Sequence, residues 1–240
     1  MSSLPYAGLN LGYFVGDNDK NVAENRRIMR KSLNLQQTRM ITADQVHSNK
    51  VSVINEKSNI SGWEDPRRSI RLTDALITNL QNLTLVITVA DCVPVLIYDT
   101  KNKVIAAVHA GWKGTGLGIV KRTLDQMKDS FKSNLENCQV GIGPSIGICC
   151  YSVDIKVIDF FRSKFSYWRE IFNLEKNTFG KLNLVEANKR QLIEAGVPAQ
   201  NISSSDICTS CNNDLFYSFR KENGVTGRQI AFISLNNKTL

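Results

Sequence analysis

The hydrophobic pattern is densest between residues 83 and 118, LTLVITVADCVPVLIYDTKNKVIAAVHAGWKGTGLG. Two runs rich in β-branched residues, 83–89 and 104–108, are apolar at successive positions instead of alternating. Strands covered on both faces read this way. Cys92 follows the first run and His109 the second. Two such strands ending side by side would bring both side chains to one rim of a sheet, where open α/β sheets hold their ligands.

Around this pair, helical and strand periods succeed one another. Residues 17–33 predict a helix capped by Asp17 or Asn18, with Val22, Met29 and Leu33 on one face. VSVI (51–54) predicts a strand preceded by a loop that carries His47, and TDALIT (73–78) predicts another. Between them, residues 55–71 are polar and contain Gly62 and Pro66, a surface loop. Beyond GWKGTGLG, Val120, Leu124, Met127 and Phe131 fall in helical register up to about Lys132. QVGIG (139–143) is a short strand, and Ser152 can cap a helix carrying Val153, Val157 and Phe161. Asn183 opens a further helix, with Glu186 at capping-box spacing, Gly196 at its end and Pro198 just beyond. Residues 215–235, LFYSFRKENGVTGRQIAFISL, read as two strands about an Asn-Gly turn. Nothing marks a repeat or a boundary, so residues 1–240 are expected to form a single α/β domain.

Composition narrows the function classes. A chain of 240 residues has ample length to bury a core. No stretch is long and apolar enough for a membrane span, and the first residues lack a signal-peptide core, so a cytoplasmic location and no membrane partner are expected. The net charge of +8 comes from scattered Lys and Arg with no basic arm or recognisable nucleic-acid module. A modest positive field drawing in small anionic substrates accounts for it as well, and no nucleic-acid partner is expected. The six cysteines show no framework spacing and read as reduced thiols.

The candidate chemistry is compact, because His47 and His109 are the only two histidines. Thiolate and imidazole are the ligands zinc prefers, and three protein ligands with an open fourth position describe a catalytic site, so His47, Cys92 and His109 form a candidate metal set. A buried free cysteine and two hydrogen-bonded histidines would account for the same residues. In Gly111-Trp112-Lys113-Gly114-Thr115-Gly116 a strand runs through glycines towards a helix N-terminus. That arrangement can present backbone N–H groups to phosphate, with Lys113, Gly114 and Thr115 as candidates. A tight turn that needs small residues explains the pattern equally well. Arg220, in an aromatic stretch with Phe216, Tyr217 and Phe219, is a weaker anion candidate. Cys208-x-x-Cys211 and the adjacent Cys149-Cys150 lack a partner at finger spacing. They read as core or supporting thiols, like Cys138, in preference to a structural zinc site.

QVHS (45–48), TDALIT (73–78), ADCVPVLIYD (90–99) and AAVHAGWKGT (106–115) resemble the signature blocks of one family. GIGPSIGICCYSV (141–153), DICTSCN (206–212), FYSFRKE (216–222) and TGRQIAFISL (226–235) extend the likeness over nearly the whole chain. It is the family once called laccase-domain or multicopper polyphenol oxidase proteins, whose members are now regarded as zinc-dependent purine nucleoside phosphorylases that also deaminate adenosine. The resemblance implies a mixed β-sheet sandwich with flanking helices, and zinc at His47, Cys92 and His109. It further implies adenosine, inosine, guanosine and methylthioadenosine as substrates, with inorganic phosphate as co-substrate. Asp91, beside Cys92, would be the local carboxylate for moving protons in deamination, although a turn or cap aspartate is the slightly preferred reading. The older name fails a count: a four-copper cluster cannot be built from two histidines, whereas a single copper suits the same three ligands. Family members usually carry a strand and an Arg-Gly-Gly segment ahead of the block resembling YAGLNLGYFVGDN (6–18), where this chain begins. Two alternatives stay open: a metal-free thiol hydrolase using Cys92 with His109 or His47, and a peptidoglycan-precursor editing hydrolase that removes L-serine from UDP-muramoyl-serine.

Overall fold

The two apolar runs are strands, buried along almost their whole length, but they lie in different sheets. The computed structural model describes residues 1–56, 58, 61–176 and 178–236. In chain order its elements are α1 (Asp19–Ser32), β1 (Arg39–Thr42), β2 (Val51–Val53), β3 (Ala75–Thr78), β4 (Leu83–Val89), β5 (Val93–Asp99) and β6 (Val104–Ala110). There follow α2 (Trp112–Gly116), α3 (Ile119–Phe131), β7 (Cys138–Ile142), β8 (Ser152–Asp154), α4 (Ile155–Arg162), β9 (Phe172–Lys176), β10 (Phe179–Leu182), α5 (Leu184–Ala195), β11 (Ile202–Ser204) and β12 (Gln229–Leu235).

A six-stranded mixed sheet has the order β11-β7-β5-β6-β3-β2, and a three-stranded sheet the order β1-β4-β12. Leu83, Leu85, Ile87 and Val89 of β4 meet Leu76, Ile105 and Ala107 of the larger sheet in one apolar layer. Alternation then sends Val93, Val95 and Ile97 of β5, with Val104, Ala106 and Val108 of β6, to the opposite face. There Val120, Leu124 and Met127 of α3 and Leu184 and Leu192 of α5 cover them. Val86 and Met40 line the outer face of the smaller sheet beneath Met29 of α1 and Trp63. The result is a mixed β-sheet sandwich with helices on both outer faces, as expected. A small sheet, β8-β10-β9, stands beside α4. No helix among the described residues is long and apolar enough to cross a membrane.

Helix ends follow the sequence signals closely. Asn18 caps α1 by accepting from Lys20 N–H, and Asn183 caps α5 by accepting from Glu186 N–H, with Gly196 left-handed at its end. Leu33, expected on the buried face of α1, is instead the exposed C-cap residue. Ser152 and Val153 belong to β8, and it is Asp154 that caps α4. The expected strand around 215–220 is a series of turns, leaving β12 as the sole strand of the C-terminal stretch. Within the polar 55–71 loop, Lys57, Asn59 and Ile60 lie outside the described residues.

The largest correction is β5. The chain leaves β4 in the small sheet, turns at Ala90–Asp91 and enters the large sheet as β5, antiparallel to β6. Cys92 reaches His109 through this crossing and not because β4 lies beside β6.

Candidate metal centre

The register of β3 against β6 pairs Ala75 with Val108 and brings Asp74 opposite His109. His109 N–H donates to the Asp74 carbonyl at 2.8 Å, and His109 Nδ1 lies 2.9 Å from Asp74 Oδ1. The Asp74 carboxylate is fully buried. It also accepts from His47 N–H (2.9 Å), Val46 N–H (3.3 Å), Ser48 N–H (2.7 Å) and Ser48 Oγ (2.8 Å). Burial raises its pKa, but the hydrogen bonds from His109 and Ser48 together outweigh that and hold it below the ordinary aspartate value. One carboxylate thus orients the His109 ring and clasps the loop on which His47 sits, at a left-handed φ of 57°.

Asp91, at φ 81°, turns the chain so that Cys92 faces the two imidazoles. Cys92 Sγ lies 3.8 Å from His47 Nε2, the two imidazole rings meet edge-on with centroids 4.8 Å apart, and the three candidate ligand atoms lie within 4.8 Å of one another. His109 is buried, Cys92 half-buried and His47 exposed, so the group has a solvent side. Burial disfavours the Cys92 thiolate, yet the neighbouring His109 and hydrogen bonds from both histidines bring its pKa down to about 6. Burial likewise disfavours a charged His109, and the Cys92 sulfur and Asp74 raise its pKa to about 9. Gly111 lets the three converge: a Cβ there would stand 2.9 Å from His47 Cδ2 and 3.0 Å from Cys92 Sγ. Two imidazole nitrogens and one thiolate, with one ring fixed from behind by a carboxylate, fit a metal ion with an open coordination position.

These residues line a cavity of about 890 Å³, a volume suited to a small organic ligand. Its walls carry Tyr13, Phe14, Trp112, Tyr151 and Phe219, and the cations Arg26, Arg67, Arg71, Arg220 and Arg228. Arg26 is stacked between Tyr13 (4.4 Å) and Trp63 (4.3 Å), and burial pushes its guanidinium down to about 10. Arg228 donates to the carbonyls of Thr226 and Gly227, both at 2.8 Å. Arg220 donates to Ser152 O at 2.7 Å and lies over Tyr151.

The remaining sequence candidates separate by position. Asp91 lines the cavity, but both carboxylate oxygens are engaged, one by Thr209 Oγ1 at 2.7 Å and the other by Arg220 N–H at 2.6 Å. Lys113, Gly114 and Thr115 lie in the short helix α2, behind the histidines and off the cavity wall. Gly114 packs against the Ser48 carbonyl, the buried Thr115 hydroxyl is paired with Asn188, and Lys113 is exposed beside Trp112. Asp74, Arg26 and Arg228 escaped the sequence reading. Asp74 is the second residue of the TDALIT block and Arg228 sits in TGRQ, so for these two position within a resembling block was the only signal available.

The other correction concerns the thiols. Cys149, Cys150, Cys208 and Cys211, read from sequence as core or supporting thiols in preference to a structural zinc site, have their four sulfurs within 4.8 Å of one another.

Residues 1–236 match the family described as multi-copper polyphenol oxidoreductase laccase. The chain belongs to that family. Among relatives of this laccase family, purine nucleoside phosphorylase YlmD of Bacillus subtilis is 33% identical over 98% of this chain and 84% of its own length. Adenosine deaminase RL5, from an unknown prokaryotic organism, is 32% identical over 93% of this chain and 85% of its length. The crystal structure of the Bacillus licheniformis hypothetical protein YfiH superposes with a TM-score of 0.94 at 36% identity, covering 98% of this chain and 88% of that one. Relatives named as enzymes agree with a metal-capable cluster in the wall of a cavity.

Proposed function

We propose that residues 1–240 act as one domain, a zinc-dependent purine nucleoside phosphorylase that takes adenosine, inosine, guanosine and methylthioadenosine and also deaminates adenosine. The observation that carries this reading is the convergence of His47, Cys92 and His109 in the wall of a cavity that also carries aromatic rings and arginines. Relatives named purine nucleoside phosphorylase and adenosine deaminase support the substrate class. His47, Cys92 and His109 would hold the zinc, which would supply Lewis acidity to a water or substrate atom. A single copper would fit the same donors, and assay with each metal separates them.

The chain's own residues do the rest. Asp74 keeps the Nδ1 proton of His109 on its own side, leaving Nε2 free for the metal. Tyr13, Phe14, Trp112, Tyr151 and Phe219 offer flat apolar surface to a purine. Arg220 and Arg228 give the cavity the positive charge that inorganic phosphate needs. In phosphorolysis an oxygen of hydrogen phosphate attacks C1′ of the ribose, the C1′–N bond breaks, and the purine leaves with a proton that balances the one the phosphate gives up. The Lys113-Gly114-Thr115 turn supports this site from behind by packing against the His47 loop at Ser48. Asp91 acts as a positioning residue, because its carboxylate holds the backbone of Arg220.

The test is release of hypoxanthine from inosine with and without phosphate, and of ammonia from adenosine. Both activities are expected, and His109→Ala is expected to lower each at least 100-fold. Normal turnover by that variant would end the metal-based reading. One observation favours a second reading: Cys92, His109 and Asp74 stand in nucleophile, base and orienting-acid order. A metal-free thiol hydrolase would keep its activity in chelator and lose it on stoichiometric alkylation of Cys92.

A further inference from the structure

We infer that Cys149, Cys150, Cys208 and Cys211 form a second, structural metal site that takes one zinc ion and fastens two loops beneath the cavity. The four sulfurs come from two segments far apart in sequence, the turn 147–151 and the Cys208-x-x-Cys211 turn. Cys149 and Cys150 Sγ lie 3.5 and 3.4 Å from Cys211 Sγ, and all four lie within 4.8 Å of one another. A zinc ion with Zn–S bonds of about 2.3 Å sets tetrahedral sulfurs about 3.8 Å apart, so shifts of about 1 Å or less close the set. The cysteines are free thiols, and Cys211 stands equally close to both members of the adjacent pair. A disulfide would join Cys211 to one of them and leave the other two sulfurs without a purpose, whereas one ion uses all four. Four thiolates leave no open position, which makes the site structural, unlike the three-ligand set above.

Backbone donors converge on the Cys208 sulfur. Gly147 N–H donates to Cys208 Sγ at 3.2 Å, and Cys211 N–H does the same across the turn. Gly147 permits the approach, because a Cβ there would meet Cys208 Cβ at 3.1 Å and Cys149 Sγ at 3.2 Å. Cys208 is buried and Cys149 and Cys211 are exposed, which gives an ion a way in.

The two loops have little regular structure and bear on the cavity. Ile146 N–H donates to Asp91 O at 2.9 Å, Thr209 Oγ1 and Arg220 N–H hold the Asp91 carboxylate, and Thr209 N–H donates to Ser145 O at 3.0 Å. An ion joining Cys149 and Cys150 to Cys208 and Cys211 would fix Tyr151 and Arg220 in the wall through these bonds.

The experiment is elemental analysis of the full chain purified with reductant and loaded with zinc. The wild-type chain is expected to hold one more zinc equivalent than Cys149→Ser/Cys211→Ser, a substitution at two exposed positions. His47→Ala is expected to remove a different equivalent, so the two losses add. Cobalt(II) titration of metal-free wild-type chain reads the same site without a variant, and serves where a variant fails to fold. Strong thiolate-to-cobalt absorption at the level of several sulfurs supports the site, and absorption of a single thiolate overturns it. Equal zinc content in wild type and the double variant overturns it as well. So does a Cys149–Cys211 or Cys150–Cys211 disulfide in the zinc-loaded protein, identified by peptide mass spectrometry.

Discussion

Asp74 accepts five hydrogen bonds on two buried oxygens, from His109, His47, Val46 and twice from Ser48. Asn at this position would turn one acceptor into a donor facing N–H groups. Asp74→Asn is therefore expected to cost about 3 kcal/mol in urea denaturation. It should also weaken zinc binding by roughly 10- to 100-fold in chelator competition; unchanged affinity would mean that something else orients His109. The candidate ligands could be named from the sequence because the chain has only two histidines and Cys92 follows an apolar strand, but long spacings say nothing about convergence, and it was the resemblance that joined the three into one set. Asp74 could not be named, since its part depends on which residue of β6 the strand register sets opposite it. Arg26 was hidden for a similar reason: on the pattern of α1 it reads as a surface cation, yet Tyr13 and Trp63 enclose it. Cys138 gives a check on burial. Its thiol is pushed up to about 12, by burial first and Asp99 second, and its sulfur is fully buried, so alkylation at pH 8 should reach it last of the six.

At the scale of elements, two glycines contrast. Gly196 ends α5 at φ 109° with open space around a Cβ, so Gly196→Ala should cost about 1 kcal/mol in thermal or urea unfolding and leave turnover unchanged. Gly111 has an ordinary φ of −71° and no open space. Gly111→Ala should leave unfolding within about 1 kcal/mol of wild type and lower inosine phosphorolysis at least tenfold, because the new methyl group pushes His47 from Cys92. Caps and helices were read well because their signals are local. β5 was missed because VPVLIYD continues an apolar run already assigned to β4, and Pro94 argues against a strand. The aromatic alternation at 215–220 misled for a different reason. Glu222 takes the Ser218 N–H and Asp91 takes the Arg220 N–H, so side chains hold the donors a strand ladder would need.

For the whole molecule, the net charge of +8 has a local expression in the five arginines around the cavity, set against Asp44 and Asp91. Steering of phosphate by such a field weakens with salt. KM for phosphate should rise several-fold between about 50 and about 500 mM NaCl, with turnover at saturation little changed. Flat dependence would mean that the field does not act on this substrate. The crossing between the sheets has a further consequence. All three candidate ligands lie at the end of the six-stranded layer, while Arg228 and Arg26 belong with the smaller sheet and α1, across the seam. A chain loosened along that seam would hold its ion yet lose its grip on nucleoside, so in mild denaturant turnover should vanish before the metal departs.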